Sequence, residues 1–175
     1  MNLLKQSIII ILSFSCSVCQ CDGFNWHHDF NIDDCNQGDI LVLNQFISNS
    51  KENINTDMDI NINNIIEPLE LGWQLWEEGR LIHWICTDVP SPYFVYNYSC
   101  DLSGDIPDNI SNLDKLIKLH IQYNNLSGNI PDTICELDVV NNSSYWFKIN
   151  HNNFCPPFPS CIKLWNRQQI NQNCN

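Results

Sequence analysis

Positive charge is scarce in this chain. Eight lysines and arginines stand against 20 aspartates and glutamates, a formal net charge of −12 over 175 residues. The basic residues form no run, which argues against nucleic acid, because phosphates are held by a basic footprint. Alanine is missing and asparagine abundant, a bias that reads as nucleotide composition rather than function. Missing too are H-E-x-x-H, G-x-S-x-G and any phosphate-binding glycine loop, so no familiar catalytic constellation stands out and a non-enzyme is expected. Beyond the N-terminal stretch no apolar run approaches the ~18 residues of a membrane span. What the chain does have is 43% hydrophobic residues, six tryptophans and ten cysteines. That is too apolar for a disordered tail, and the length allows one domain or two small ones.

The first 21 residues combine Lys5, an apolar core from Ile8 to Phe14, and small residues at Ser13, Ser15 and Ser17. This is the pattern of a secretory signal peptide over 1–17, with a cut site uncertain up to 21. An uncleaved anchor is the alternative, and a lipoprotein signal at Cys16 is spoiled by bulky Phe14. An exported chain this rich in cysteine should carry disulfides and work outside the cell, with no membrane span after cleavage. Asn97, Asn109, Asn125, Asn141 and Asn142 then read as glycan acceptors in a eukaryotic source.

The second half repeats itself. Displaced by 24 residues, Leu102-Ser103-Gly104-Asp105-Ile106-Pro107-Asp108 falls on Leu126-Ser127-Gly128-Asn129-Ile130-Pro131-Asp132. After a four-residue insertion, Leu119 to Leu126 aligns with Phe147 to Phe154. A fixed period in the twenties points to a solenoid. The pattern of Leu116, Leu119, Ile121, Asn124, Leu126, Gly128, Ile130 and Pro131 resembles the plant-type leucine-rich repeat. A degenerate earlier copy has Leu81, Trp84, Cys86 and Cys100 in equivalent places. The resemblance implies a stack in which Leu119 and Ile121 face inward and Asn124 and Asn152 bond neighbouring backbone in a ladder. Asn153 to Cys161 is similar to the cysteine-containing cap of that family, which suggests Cys155 paired with Cys161, Cys135 with Cys174, and Cys86 with Cys100. Four C-terminal cysteines nevertheless allow three connectivities.

Residues 59–70 offer oxygen donors at the EF-hand positions: Asp59, Asn61, Asn63, the Ile65 carbonyl, Glu67 and Glu70. Ca²⁺ favours such hard ligands. Leu69, Trp73 and Trp76 have helical spacing over Glu67 to Glu78, and Ile40, Leu43 and Ile47 mark a helix over about Asp39 to Ser50. The whole resembles an EF-hand or dockerin-type module binding Ca²⁺. Two positions depart from the pattern: Asn64 replaces glycine and Ile62 stands where polar residues are usual. A second loop opening at Asp29-Phe30-Asn31-Ile32-Asp33 loses its closing acid to Ile40, and His27-His28 lacks a second spaced pair for a metal. Adjacent Glu77 and Glu78 do not face each other on a helix.

The repeat register places His83, Lys118 and Trp146 in one outward column, Ile85, His120 and Lys148 in the next, and Gln122 with Asn150 in a third. The expected fold class is α/β: a helical EF-hand-like module at 22–78, a leucine-rich-repeat solenoid of about three units at 79–161, and a disulfide-bonded tail at 162–175. The expected function is a secreted, non-enzymatic binding protein. Its concave face, His83, Lys118, His120, Gln122, Trp146, Lys148 and Asn150, would recognise a protein or a glycan, with Ca²⁺ structural. Ca²⁺-dependent docking through the N-terminal module is an alternative, and enzyme inhibition follows from family analogy alone.

Overall fold

A computed structural model describes residues 21–24, 31–50, 53–87, 99–143 and 145–163. The signal segment, His27, His28, Asp29, Asn97 and Cys174 lie outside those residues, as does most of the expected tail.

Among the described residues there is one α-helix, α1, over Gln37–Ser50. It starts where Asn36 Oδ1 accepts from the backbone N–H of Gly38 and Asp39, at 2.9 and 3.2 Å, filling donors that the first turn leaves open. Ile40, Leu43 and Phe46 recur at helical spacing and are buried.

Two sheets carry the rest. The first runs β1 (Gly23–Phe24), β2 (Trp73–Glu77), β3 (Arg80–Ile85), β5 (Lys118–His120), β7 (Phe147–Lys148). It is mixed: β1, β2 and β3 are antiparallel, whereas β3, β5 and β7 are parallel. The second sheet is parallel throughout, in the order β4 (Ser103–Asp105), β6 (Asn125–Asn129), β8 (Asn153–Cys155). Between the sheets the chain passes through 3-10 turns at Asp108–Asn112 and Asp132–Glu136. Each turn follows a proline, Pro107 or Pro131, whose fixed φ suits an extended entry and whose missing N–H costs no ladder bond there.

One end of each sheet is covered. The antiparallel β1 and β2 extend the sheet beyond β3, so the first sheet does not begin on a bare parallel strand. At the β4 edge the end of α1 supplies the partners: Ser50 Oγ accepts from Ser103 N–H at 3.0 Å, and Asn49 Nδ2 donates to the Asp105 carbonyl at 2.8 Å. An exposed row of unpaired backbone groups would invite edge-to-edge association. One continuous cluster of buried side chains runs from Cys21 to Ile162.

The α/β leucine-rich-repeat solenoid preceded by a helical EF-hand-like module is therefore corrected. The described residues fold as one α-helix with 3-10 turns, a mixed sheet and a parallel sheet, and strand β2, not a helix, follows the Asp59–Glu70 loop. Glu67 to Glu78, expected as a helix, is a 3-10 turn at Pro68–Glu70 followed by strand β2. The hairpin that follows turns at Glu78 and Gly79, with φ of 50° and 74°. Left-handed backbone at both central positions matches the twist of antiparallel strands. That pairing satisfies the backbone of Trp73–Glu77 and competes successfully with helix formation.

Disulfides join Cys21 to Cys35, Cys86 to Cys100 and Cys135 to Cys161, with Cα separations of 5.2, 5.4 and 5.7 Å. Cys155 is also disulfide-bonded, but not to Cys161. The expected Cys155–Cys161 and Cys135–Cys174 pairs are thus wrong. Cys155 lies on β8 in register with Asn129, while Cys161 meets the 3-10 turn that carries Cys135. These bonds are compatible with an extracellular protein. Among the described residues no helix is long and apolar enough to cross a membrane.

Candidate functional site

The outward side of β3, β5 and β7 is fixed by register. His83 stands opposite Lys118, Ile85 opposite His120, and His120 opposite Lys148. Strand alternation sends the residues between them, Trp84, Leu119 and Phe147, into the core. Just beyond the strands an asparagine ladder locks the stack. Asn124 Oδ1 accepts from Leu102 N–H at 2.9 Å while its Nδ2 donates to the Cys86 carbonyl at 2.7 Å. Asn152 repeats this one layer on, accepting from Leu126 N–H at 3.0 Å and donating to the Ile121 and Ile149 carbonyls at 2.9 Å each.

Aromatic rings gather at one end of this face. His83 lies 6.1 Å from Trp73 and 6.2 Å from Trp146, centroid to centroid. Tyr145 meets Trp146 edge-on at 4.9 Å. Lys118 Nζ sits 4.7 Å from the Tyr145 ring centre and 5.7 Å from that of Trp146. Such placement over ring faces suits a cation. Tyr145 was not singled out by the sequence reading; its position immediately before Trp146 and the β7 column is the signal that could have found it.

The electrostatics have one sign. Burial lowers the Lys118 ammonium below its ordinary range, and Lys148 adds to the effect. Burial also lowers His83, with Lys118 contributing. His120 is pushed down to about 4 chiefly by burial, against the hydrogen bond in which its Nε2 donates to the Tyr145 carbonyl at 2.7 Å. Among the described residues no carboxylate acts on any of these three groups.

The seven expected face residues are brought together unequally. His83, Lys118, Trp146, Lys148 and Asn150 are half-buried and reachable from outside. His120 and Gln122 are 8% and 4% exposed, and Gln122 Oε1 is buried without a hydrogen-bond partner. The reachable patch is therefore narrower than the sequence implied, with His120 buried and bonded to the Tyr145 carbonyl.

The Asp59–Glu70 loop is organised around its own acids. Asp59 accepts from Asn63 N–H at 3.1 Å and Asn64 N–H at 2.7 Å. Glu70, 9% exposed, reaches back to Ile60 N–H at 2.9 Å, Asn61 N–H at 3.2 Å and Glu67 N–H at 3.1 Å. The amides of Asn61 and Asn63 donate to Glu67, at 3.2 and 2.6 Å. Burial and the neighbouring Glu67 raise the Glu70 carboxyl, while a hydrogen bond from Glu70 lowers Glu67. Backbone φ is positive at Ile62 and Asn64, at 59° and 66°. Among the described residues no group of three histidine, cysteine or acidic side chains is arranged to hold a metal ion. The donors are nonetheless all oxygens, which fits Ca²⁺ and not a softer metal.

Sequence reasoning missed one ionic network, which runs from buried Asp39 to exposed Asp114. Arg80 donates through Nε and Nη2 to Asp39, at 2.9 and 3.0 Å, and its Nη2 also reaches the Asn112 carbonyl and Asp114. Asp39 is fully buried and also accepts from Leu81 N–H. This network ties α1 to the β2–β3 hairpin. Of the expected glycan acceptors, Asn125, Asn141 and Asn142 are exposed and Asn109 is half-buried with its Oδ1 enclosed.

No protein-family model matches the chain, and no curated protein matches it. Among solved structures, a plant ice-binding protein aligns over 69% of this chain at 21% identity, with a TM-score of 0.40. The chain spans 33% of the length of that protein. A likeness this loose carries no functional conclusion.

Proposed function

We propose that the protein is a non-enzymatic binding protein, working outside the cell, which recognises a protein or glycan through the outward side of β3, β5 and β7. The observation that carries this reading is Lys118. In a chain of net charge −12, this lysine is held against Tyr145 and Trp146 beside Lys148, with no carboxylate partner among the described residues. Burial of a cation without a counter-ion is costly, and an incoming anionic or polar partner would offset that cost. The test is an array of glycans and extracellular proteins probed with wild type and with a Lys118→Gln/Lys148→Gln/Trp146→Leu variant of unchanged circular dichroism. Ligands retained by wild type and lost by the variant support the reading; an identical profile for both sinks it.

In the same reading, the Asp59–Glu70 loop takes a structural Ca²⁺, held by Asp59, Asn61, Asn63, Glu67, Glu70 and the Ile65 carbonyl. The ion would supply the positive charge that Glu67 and Glu70 now lack between them. Calorimetric titration should give one site of micromolar to millimolar affinity, and Glu70→Gln should abolish the heat. A flat wild-type titration at millimolar Ca²⁺ would remove calcium from the account. One observation favours the docking alternative: Ile60, Ile62 and Ile65 on this loop are 45%, 82% and 61% exposed. In that case Ile62→Asp, and not the lysine variant, would lose the partner.

A further inference from the structure

The reachable patch is small, and its size bears on what can occupy it. Three neighbouring strands span roughly 10 Å between their outermost axes, and β5 and β7 have only three and two residues. A standard protein–protein interface takes on the order of 20 residues from each partner, whereas the reachable patch consists of His83, Lys118, Tyr145, Trp146, Lys148 and Asn150. A folded protein would need most of its contact elsewhere. One or two ring-sized groups would fill the patch.

Its chemistry is mixed in a particular way. Lys118 stands against the Tyr145 and Trp146 rings, and the charge of Lys148 on the neighbouring strand acts on it. Tyr145, 59% exposed, and half-buried Trp146 supply flat apolar surface set at 88° to one another. His83 and Asn150 supply neutral hydrogen-bonding groups at the borders. A ligand that satisfies all three needs negative charge, an apolar ring face and several hydroxyls.

Resting on the binding reading above, we propose that the Lys118–Tyr145–Trp146–Lys148 patch is a subsite for an acidic sugar residue within an oligosaccharide. The sugar's carboxylate or sulfate lies between the two ammonium groups. Its C–H face packs on the exposed ring of Tyr145. Its hydroxyls exchange hydrogen bonds with His83 and Asn150. An acidic peptide shares the charge but offers neither the rigid ring nor the hydroxyls.

The experiment titrates the full secreted chain by calorimetry with four probes of similar length: a uronate oligosaccharide, a sulfated oligosaccharide, an uncharged oligosaccharide and a polyglutamate peptide. The expected result is saturable binding of one or both charged sugars. The uncharged sugar and the peptide should bind at least tenfold more weakly. Lys118→Gln and Lys148→Gln should each weaken the charged sugar about tenfold, and Tyr145→Leu, at an exposed position with little folding risk, should weaken it with the charge intact. The stronger of the two charged sugars identifies the anion. Preferential binding of polyglutamate lost in the lysine variants would overturn the sugar proposal and leave the face as a binding site. Equal binding of charged and uncharged sugars, or no binding of any sugar, would also overturn the proposal, while the array above judges the wider reading separately.

Discussion

Burial changes the chemistry of His120 strongly. It is 8% exposed, with Nε2 donating to the Tyr145 carbonyl and, among the described residues, the basic groups Lys118, Lys148 and His83 acting on it. The folded state holds it neutral down to about pH 4, whereas the unfolded chain protonates near 6.5. Between those values the unfolded state binds more protons, so stability is complete above about pH 6.5 and falls as pH drops toward 4. Lowering pH from 7 to 5 should cost about 2 kcal/mol through this residue. Urea denaturation of wild type and His120→Asn at both values checks it: the variant should show a visibly flatter pH dependence. An equal slope in the two proteins would mean that His120 is more solvated than its burial implies.

At the scale of elements, backbone approach is the governing constraint. Gly128 on β6 has φ of +69° and packs directly on the Asp105 carboxylate of β4, so an added Cβ would collide with it. Asp105 is exposed and its carboxylate can swing aside, so Gly128→Ala should cost about 1 kcal/mol, chiefly for the backbone conformation. Adding Asp105→Ala should recover little of that loss in a double-mutant cycle. Full recovery would place the cost in the side-chain clash instead. The same scale shows what the sequence made legible. The offsets of 35 and 28 residues that align Trp84, Leu119 and Phe147 are also the registers of β3, β5 and β7, because inward apolar residues fix strand pairing. Helix α1 was legible from Ile40 and Leu43. Strand β2 was not. A register shift between Leu75 and Trp76 breaks its alternation and buries both Trp73 and Trp76, three residues apart. A bulge thereby imitates helical spacing. Gln74 also hid the strand, since a polar residue there is fully buried by donating to the Pro68 and Leu71 carbonyls. In the candidate face, the columns were readable, but the burial of His120 and Gln122 was not, because a column position does not say what covers it.

The whole molecule depends on covalent closure. Its strands are short: β7 has two residues, and β4, β5 and β8 have three each. Each buries little by itself, and disulfides hold the chain, three of them with both ends among the described residues besides the one at Cys155. Cys21–Cys35 fastens the chain ahead of α1, Cys86–Cys100 joins the end of β3 to the start of β4, and Cys135–Cys161 anchors the final segment on the preceding 3-10 turn. Their sequence separations are 14, 14 and 26 residues. In the chain-entropy view, loops of that length contribute about 3 kcal/mol apiece. Three of them amount to about 9 kcal/mol, comparable with the total stability of about 5–15 kcal/mol typical of a domain. Reduction should thus unfold the protein outright, not merely loosen its ends. The measurement is far-ultraviolet circular dichroism and intrinsic tryptophan fluorescence at 37 °C, before and after reduction and alkylation at neutral pH. Loss of the strand signal with exposure of Trp76 and Trp84, both fully buried in the oxidised fold, is the expected outcome. A reduced chain that kept its denaturation midpoint would show that the single apolar core suffices, and would remove the main physical reason for assigning the protein to an oxidising compartment.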